Sequence, residues 1–299
     1  MAKCAKHHVD FKHACSQCRI EEFTATAGTN LFSQKSLGKR RIELHQKPVL
    51  LNQDQFGICG MASAVYIMLR ADPARFDELC DATFGVFAGV KDATFETKKG
   101  PAVIDLGNLA HFYKLMLDDG GPDLHFAIDF FVARALGQIM KQQNKALYSK
   151  QKEFSKLFDA PLAPTPMTKT GSLALQTEAI DYVITDILKG KTQIVSDVDE
   201  ASLAEFVEEW SKLKKPNTFV IAGVQVEDAW PWSGSKLTSV PPSTKIKVPY
   251  QHWIVITDKI TSAGGAYKVP IWTWAQEQTP QLSIGVAHKW IRELIVCTL

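Results

Sequence analysis

The apolar pattern of this 299-residue chain changes period near Pro216. Upstream, Cys59, Ala62, Val65, Tyr66 and Leu69 recur at the spacing of one helix face. Asp72-Pro73 ends that run, and a second helix is expected with Phe76, Leu79, Cys80 and Phe84 on one side. Further helices are expected over 106–116, from about Leu124 to Phe158, and from Leu173 to Leu188 with Gly190 as C-cap. Ser202 and Glu205 have capping-box spacing ahead of Phe206, Val207 and Trp210. Downstream, residues 218–226, 250–257 and 266–274 read as strands, the last two joined by a hairpin turn at Ala263-Gly264-Gly265. Helices first and antiparallel strands later predict an α+β fold, with a helical N-terminal half packed on a C-terminal antiparallel sheet.

Charge divides the chain differently. The first 50 residues hold nine Lys or Arg and four acids, whereas the whole chain carries only +2. A near-neutral balance argues against a dedicated nucleic-acid binder. The longest uncharged apolar stretch, Phe56 to Leu69, is too short for a membrane span. The polar start Met-Ala-Lys-Cys-Ala-Lys-His-His lacks the apolar core of a secretory signal, so a cytoplasmic protein is expected, or one exported without a cleaved signal. Small and polar residues over 23–38 read as a linker. Three units follow: a zinc-binding segment over 1–22, a linker over 23–45 and a main domain over 46–299.

The chemistry concentrates in Asn52-Gln53-Asp54-Gln55-Phe56-Gly57-Ile58-Cys59-Gly60-Met61-Ala62-Ser63. Cys59 stands where a helix should start, and the unpaired N–H groups and dipole there favour a thiolate. Gly57 and Gly60 flank it and would let a substrate backbone approach. A nucleophilic cysteine needs a base, normally a histidine distant in sequence. His252, at the head of the apolar run Trp253-Ile-Val-Ile, is the candidate. The Cys59 backbone N–H and the Gln53 amide, six residues upstream, would form an oxyanion hole. Cys80 and Cys297 lack such surroundings and read as core, as do Trp272 and Trp274.

These residues resemble a known family. Gln-x5-Cys with a glycine two positions before the cysteine, followed by a helix and then a distant strand histidine, is similar to the papain-like cysteine peptidases. The blocks around 52–76 and 250–274 resemble papain-fold domains of bacterial polymorphic toxins and secretion-system effectors. The resemblance implies a papain-like fold, with Cys59 as nucleophile, His252 as base and acid, and Gln53 as oxyanion donor. It also implies a protein or peptide-like substrate and an immunity or delivery partner. That family orients its histidine with an Asn or Asp on the following strand, but here the strand runs Ile271-Trp-Thr-Trp-Ala-Gln276. Thr273, Gln276 and Asp258 are the alternatives. Hydrolysis by a protease or amidase is the first reading; deamidation, transglutaminase-like chemistry or acyl transfer uses the same pair. A non-enzymatic interaction protein is the reading from another class.

The N-terminal segment carries a second pattern. Cys4, His7, His8, Cys15 and Cys18 place closely spaced soft ligands on either side of a short loop, as tetrahedral Zn²⁺ requires. The expected set is Cys4, His8, Cys15 and Cys18, with His7 as the alternative to His8. So short a segment has no core, and metal would supply its folding energy.

Overall fold

The computed structural model describes residues 2–3, 10–11, 34–52, 58–84, 94–104, 124–151, 175–213, 216–225, 236–237, 252–273 and 275–299. The expected helix over 106–116 lies outside these residues, as do Gln53, Gly57, Trp274 and the zinc-ligand candidates Cys4, His7, His8, Cys15 and Cys18.

Strands β1 (Ala2–Lys3) and β2 (Asp10–Phe11) pair antiparallel. Helix α1 (Gln34–Gln46) then covers the C-terminal part of the stretch expected as a linker over 23–45. Its anchor is Arg40, a buried residue whose guanidinium the composition of 23–38 gave no reason to look for. Helix α2 (Cys59–Ala71) starts at the cysteine, as expected. It is buried from Cys59 through Leu69, because apolar or small residues occupy its whole circumference. The Asp72-Pro73 break leads to α3 (Pro73–Phe84), which buries Phe76, Leu79, Cys80 and Phe84. The hairpin β3 (Thr94–Thr97) and β4 (Gly100–Val103) follows. The long helix is split into α4 (Leu124–Gln143) and α5 (Lys145–Lys150). Asn144 makes the break, its side chain capping α5 by accepting from the Leu147 N–H at 3.2 Å.

Helix α6 (Thr177–Tyr182) widens into a π-turn over Val183–Ile187 before strand β5 (Lys191–Val195). Helix α7 (Glu200–Leu213) is capped differently from the Ser202/Glu205 expectation. Asp199 Oδ1 accepts from the Ser202 N–H at 2.7 Å, and Ser202 Oγ accepts from the Asp199 N–H at 2.9 Å. The reciprocal box is therefore Asp199/Ser202, one turn earlier.

The C-terminal half builds β6 (Thr218–Val224), β7 (Lys236–Leu237), β8 (His252–Ile256), β9 (Thr261–Ala263), β10 (Ala266–Lys268), β11 (Ile271–Thr273), β12 (Gln276–Gln278), β13 (Gln281–Ser283), α8 (Ile284–Trp290) and β14 (Ile291–Thr298). A six-stranded antiparallel sheet has the order β12-β11-β8-β6-β14-β5, and a smaller one the order β7-β13-β10-β9. The single expected strand over 266–274 is thus divided between two sheets: β10 pairs β9 across the Gly264-Gly265 turn, and β11 pairs β8. Helices and antiparallel sheets in this arrangement give the expected α+β class.

Period-two alternation sends the two faces of the large sheet into separate cores. Trp253 and Val255 of β8 pack with α2, α3, α4 and α6; Ile254 and Ile256 pack with α7 and α8. Trp253 Nε1 donates to the Leu175 carbonyl at 2.8 Å, and Trp272 Nε1 to the Val49 carbonyl at 3.0 Å, which ties sheet to helices. Trp272 also stacks on Tyr66 of α2 at 4.2 Å. Among the described residues no helix is long and apolar enough to cross a membrane.

Candidate active site

Helix α2 and strand β8 meet at their first residues. Cys59 heads the helix and His252 heads the strand, 193 positions apart in the chain. The Trp253 backbone N–H donates to Cys59 Sγ at 3.4 Å. Trp253 follows His252, so standard bond lengths put the sulfur within about 6 Å of the His252 Cα. The sulfur thus caps a backbone donor where β11 stops pairing with β8, at Trp272↔Val255.

The histidine ring is fixed at its far end. His252 Nε2 lies 2.7 Å from Thr273 Oγ1, in a fully buried contact. Thr273 directly follows the last registered pair of β11 with β8, Trp272↔Val255. Of the three alternatives for orienting the ring, Thr273 is the one at hydrogen-bond distance. Gln276 Oε1 accepts instead from Gln278 Nε2 at 3.0 Å, and Asp258 accepts at Oδ1 from the Lys259 N–H at 2.7 Å.

Burial governs the electrostatics. It pushes the Cys59 thiol up to about 11, and the N–H groups of Trp253, Gly60 and Cys59 itself only partly offset it. The expectation of a thiol acidified by the helix start is therefore reversed: desolvation of the anion outweighs the backbone donors. Burial likewise holds His252 down at about 3. Burial thus favours the neutral form of both side chains. Cys80 and Cys297 are also buried free thiols pushed up by desolvation, as expected of core residues.

Gly60 serves packing. A Cβ there would meet Ile180 Cδ1 and Leu175 Cδ1, each at 3.0 Å, so the glycine admits α6 and its approach rather than a substrate.

Arg40 and Asp129 are the part of the surroundings that sequence reading missed. Asp129 Oδ2 accepts from Arg40 Nη2 at 2.5 Å and from the Asn52 N–H at 2.9 Å. Arg40 Nη2 also donates to the Leu50 carbonyl at 2.8 Å. This buried pair holds the chain just before Gln53. Its one sequence signal was an Asp inside the apolar run of α4, opposite no acid-base pattern of its own.

Among the described residues no group of three or more His, Cys, Asp or Glu is placed to hold a metal ion. No protein-family model, curated protein or solved structure matches this chain. The function is therefore read from the geometry.

Proposed function

We propose that this protein is a cysteine hydrolase of the papain-like kind, acting on an amide of a protein or peptide-like substrate. The observation that carries the reading is the sulfur of Cys59 at 3.4 Å from the amide that follows His252, with the far ring nitrogen engaged by Thr273. Nδ1 is bonded to Cγ and lies nearer the His252 backbone than Nε2 does. With Nε2 on Thr273, Nδ1 is the nitrogen assigned to proton exchange with the thiol.

The cycle begins from the neutral pair. As Sγ adds to the substrate carbonyl carbon, the thiol proton passes to His252 Nδ1. The tetrahedral oxyanion is received by the Cys59 N–H and, by the resemblance, the Gln53 amide. Collapse breaks the C–N bond, and the leaving amine takes the proton from the ring. Water then attacks the thioester, giving one proton to Nδ1, which returns it to the departing sulfur. Transfer to an amine instead of water would need only a different second acceptor.

The test is labelling of the folded protein with iodoacetamide, followed by peptide mapping. Cys59 is expected to react while Cys80 and Cys297 do not, and His252→Ala is expected to slow it by about 10² or more, the usual worth of a positioned base. Cys59 reacting only on unfolding, together with Cys80 and Cys297, would leave the interaction-protein reading in its place.

The N-terminal segment is proposed to hold a structural zinc through Cys4, His8, Cys15 and Cys18. Pairing of β1 with β2 supports it, because Lys3 and Asp10 lie side by side at the two ends of the stretch that contains Cys4 and His8. Metal analysis of the purified chain should give about one equivalent, lost in Cys15→Ser/Cys18→Ser.

A further inference from the structure

The geometry points to a second binding surface: the outer edge of β5 and the cleft between it and α7 form a docking site for an extended, basic peptide segment of a partner protein. It lies on the sheet face opposite α2 and is independent of the Cys59 reading.

Among the described residues, strand β5 is the last in the order of the six-stranded sheet and pairs only with β14. Such an edge presents unpaired backbone donors and acceptors, and proteins commonly blunt it with charge or proline. Here the strand runs Lys191-Thr192-Gln193-Ile194-Val195, with its one charge at the first residue, and Ile194 is 40% exposed. Beside it a cavity of about 250 Å³ opens between sheet and helix. That is below the usual size of a small-molecule site, about 300–1,000 Å³, and suits one long side chain.

The lining sets the chemistry. Val195 and Val296 supply the sheet wall, and Phe206 and Trp210 the helix wall. The two rings lie parallel, 6.2 Å apart, and both are buried. Glu205 and Glu209, exposed and one turn apart on α7, also line it. Glu208 is neutralised by Lys212 at 2.5 Å, whereas Glu205 and Glu209 form no ion pair among the described residues. From Asp197 to Leu213 there are six acids and one base. A Lys or Arg side chain fits this cleft, its methylenes on the rings and its cation between the carboxylates. A strand added to β5 delivers side chains to that face at every second residue, so backbone pairing and side-chain capture act together.

The experiment titrates the full chain calorimetrically with a nine-residue alternating Lys-Val peptide and with its Glu-Val counterpart. The basic peptide is expected to bind and the acidic one not. Glu205→Gln/Glu209→Gln should weaken binding at least tenfold; both residues are exposed, so the fold stays intact. N-methylation of the peptide at its Val residues, or separately at its Lys residues, should abolish binding in at least one of the two isomers. Equal binding of both charge types, no binding at millimolar peptide, or indifference to the double substitution would overturn the site. Binding undiminished in both methylated isomers would also overturn it, by showing a cation pocket without strand addition.

Discussion

Cys59 and His252 lose their charged forms to the same cause, and that makes both visible in the pH dependence of stability. The folded-state value of His252, about 3, is below its ordinary 6.5. Between those values the unfolded chain binds the proton and the folded chain does not, so stability rises with pH there and is lost as pH falls through the window. At about 1.4 kcal/mol per unit the full shift is worth on the order of 5 kcal/mol. Cys59 acts in the opposite sense: its value moves from 9.0 to about 11, so stability falls as pH rises through that interval. Urea midpoints measured from pH 7 down to pH 4 should drop in the wild-type chain and drop much less in His252→Gln, which keeps a polar partner for Thr273 but does not titrate. Parallel curves for the two proteins would mean that the ring is not held neutral by burial. Thr273 is the other residue whose role separates at this scale. Thr273→Val removes the hydroxyl at 2.7 Å from Nε2 and should slow Cys59 labelling about tenfold, while Thr273→Ser restores it. A merely structural Thr273 would lower stability in Thr273→Val without changing the labelling rate of the folded fraction.

At the scale of elements, the sequence shows its limits at the caps and turns. Gly190 reads as a helix C-cap, but the left-handed residue is Lys189, at φ 64°. Gly190 is required for a different reason: a Cβ there would lie 2.6 Å from Leu299 Cδ2 and 2.7 Å from the Thr298 carbonyl oxygen, at the end of β14. Gly190→Ala should therefore destabilise by about 1–3 kcal/mol through overpacking against backbone, read as a lower thermal midpoint. A change within about 0.5 kcal/mol would show that the C-terminus moves aside freely. Helix α2, helix α3 and strand β8 were legible because local pattern and burial agree: α2 and Trp253–Ile256 of β8 are apolar runs, and α3 buries one apolar face behind Pro73. The 266–274 strand was misread because Lys268-Val269-Pro270 looks continuous in sequence, while the chain changes sheet there. Gly60 was misread as an opening for substrate because nothing local announces Ile180, 120 residues away. The positions of Cys59 and His252 at the heads of their elements were legible. Their protonation was not, since desolvation is a property of the assembled core and exceeds the local donors that the sequence advertises.

At the scale of the whole molecule, the sheet is held to the helices from one side by Trp253 and Trp272, and among the described residues one buried ion pair joins the N-terminal helix to α4. Arg40 donates to Asp129 through Nε at 3.1 Å and through Nη2 at 2.5 Å, and both side chains are almost fully buried. Helix α1 also reaches α3 at the surface, through Arg41 to Asp81 and His45 to Asp77. Exposed pairs of that kind are worth little, roughly 0–1 kcal/mol, so the docking of α1 depends on Arg40 and on the buried Leu44. Removing one partner of a buried pair costs up to about 3–5 kcal/mol, although Arg40 keeps Glu43 at 2.6 Å and the Leu50 carbonyl at 2.8 Å. Asp129→Ala should therefore lower the urea midpoint steeply, and it should also impair Cys59 labelling in the folded fraction, because the Asn52 N–H that precedes Gln53 loses its acceptor. The same architecture fixes where the chain tolerates truncation. Deleting residues 1–22 removes the zinc-ligand candidates and leaves α1 intact, so the thermal midpoint and Cys59 labelling should match the full chain. Deleting residues 1–46 removes Arg40 and Leu44 together, taking from the buried Asp129 its guanidinium partner, and should unfold the protein or lower its midpoint by many degrees. If the shorter deletion unfolds the chain as completely as the longer one, the N-terminal segment is part of the same cooperative unit as α1, and its separateness as a module is wrong.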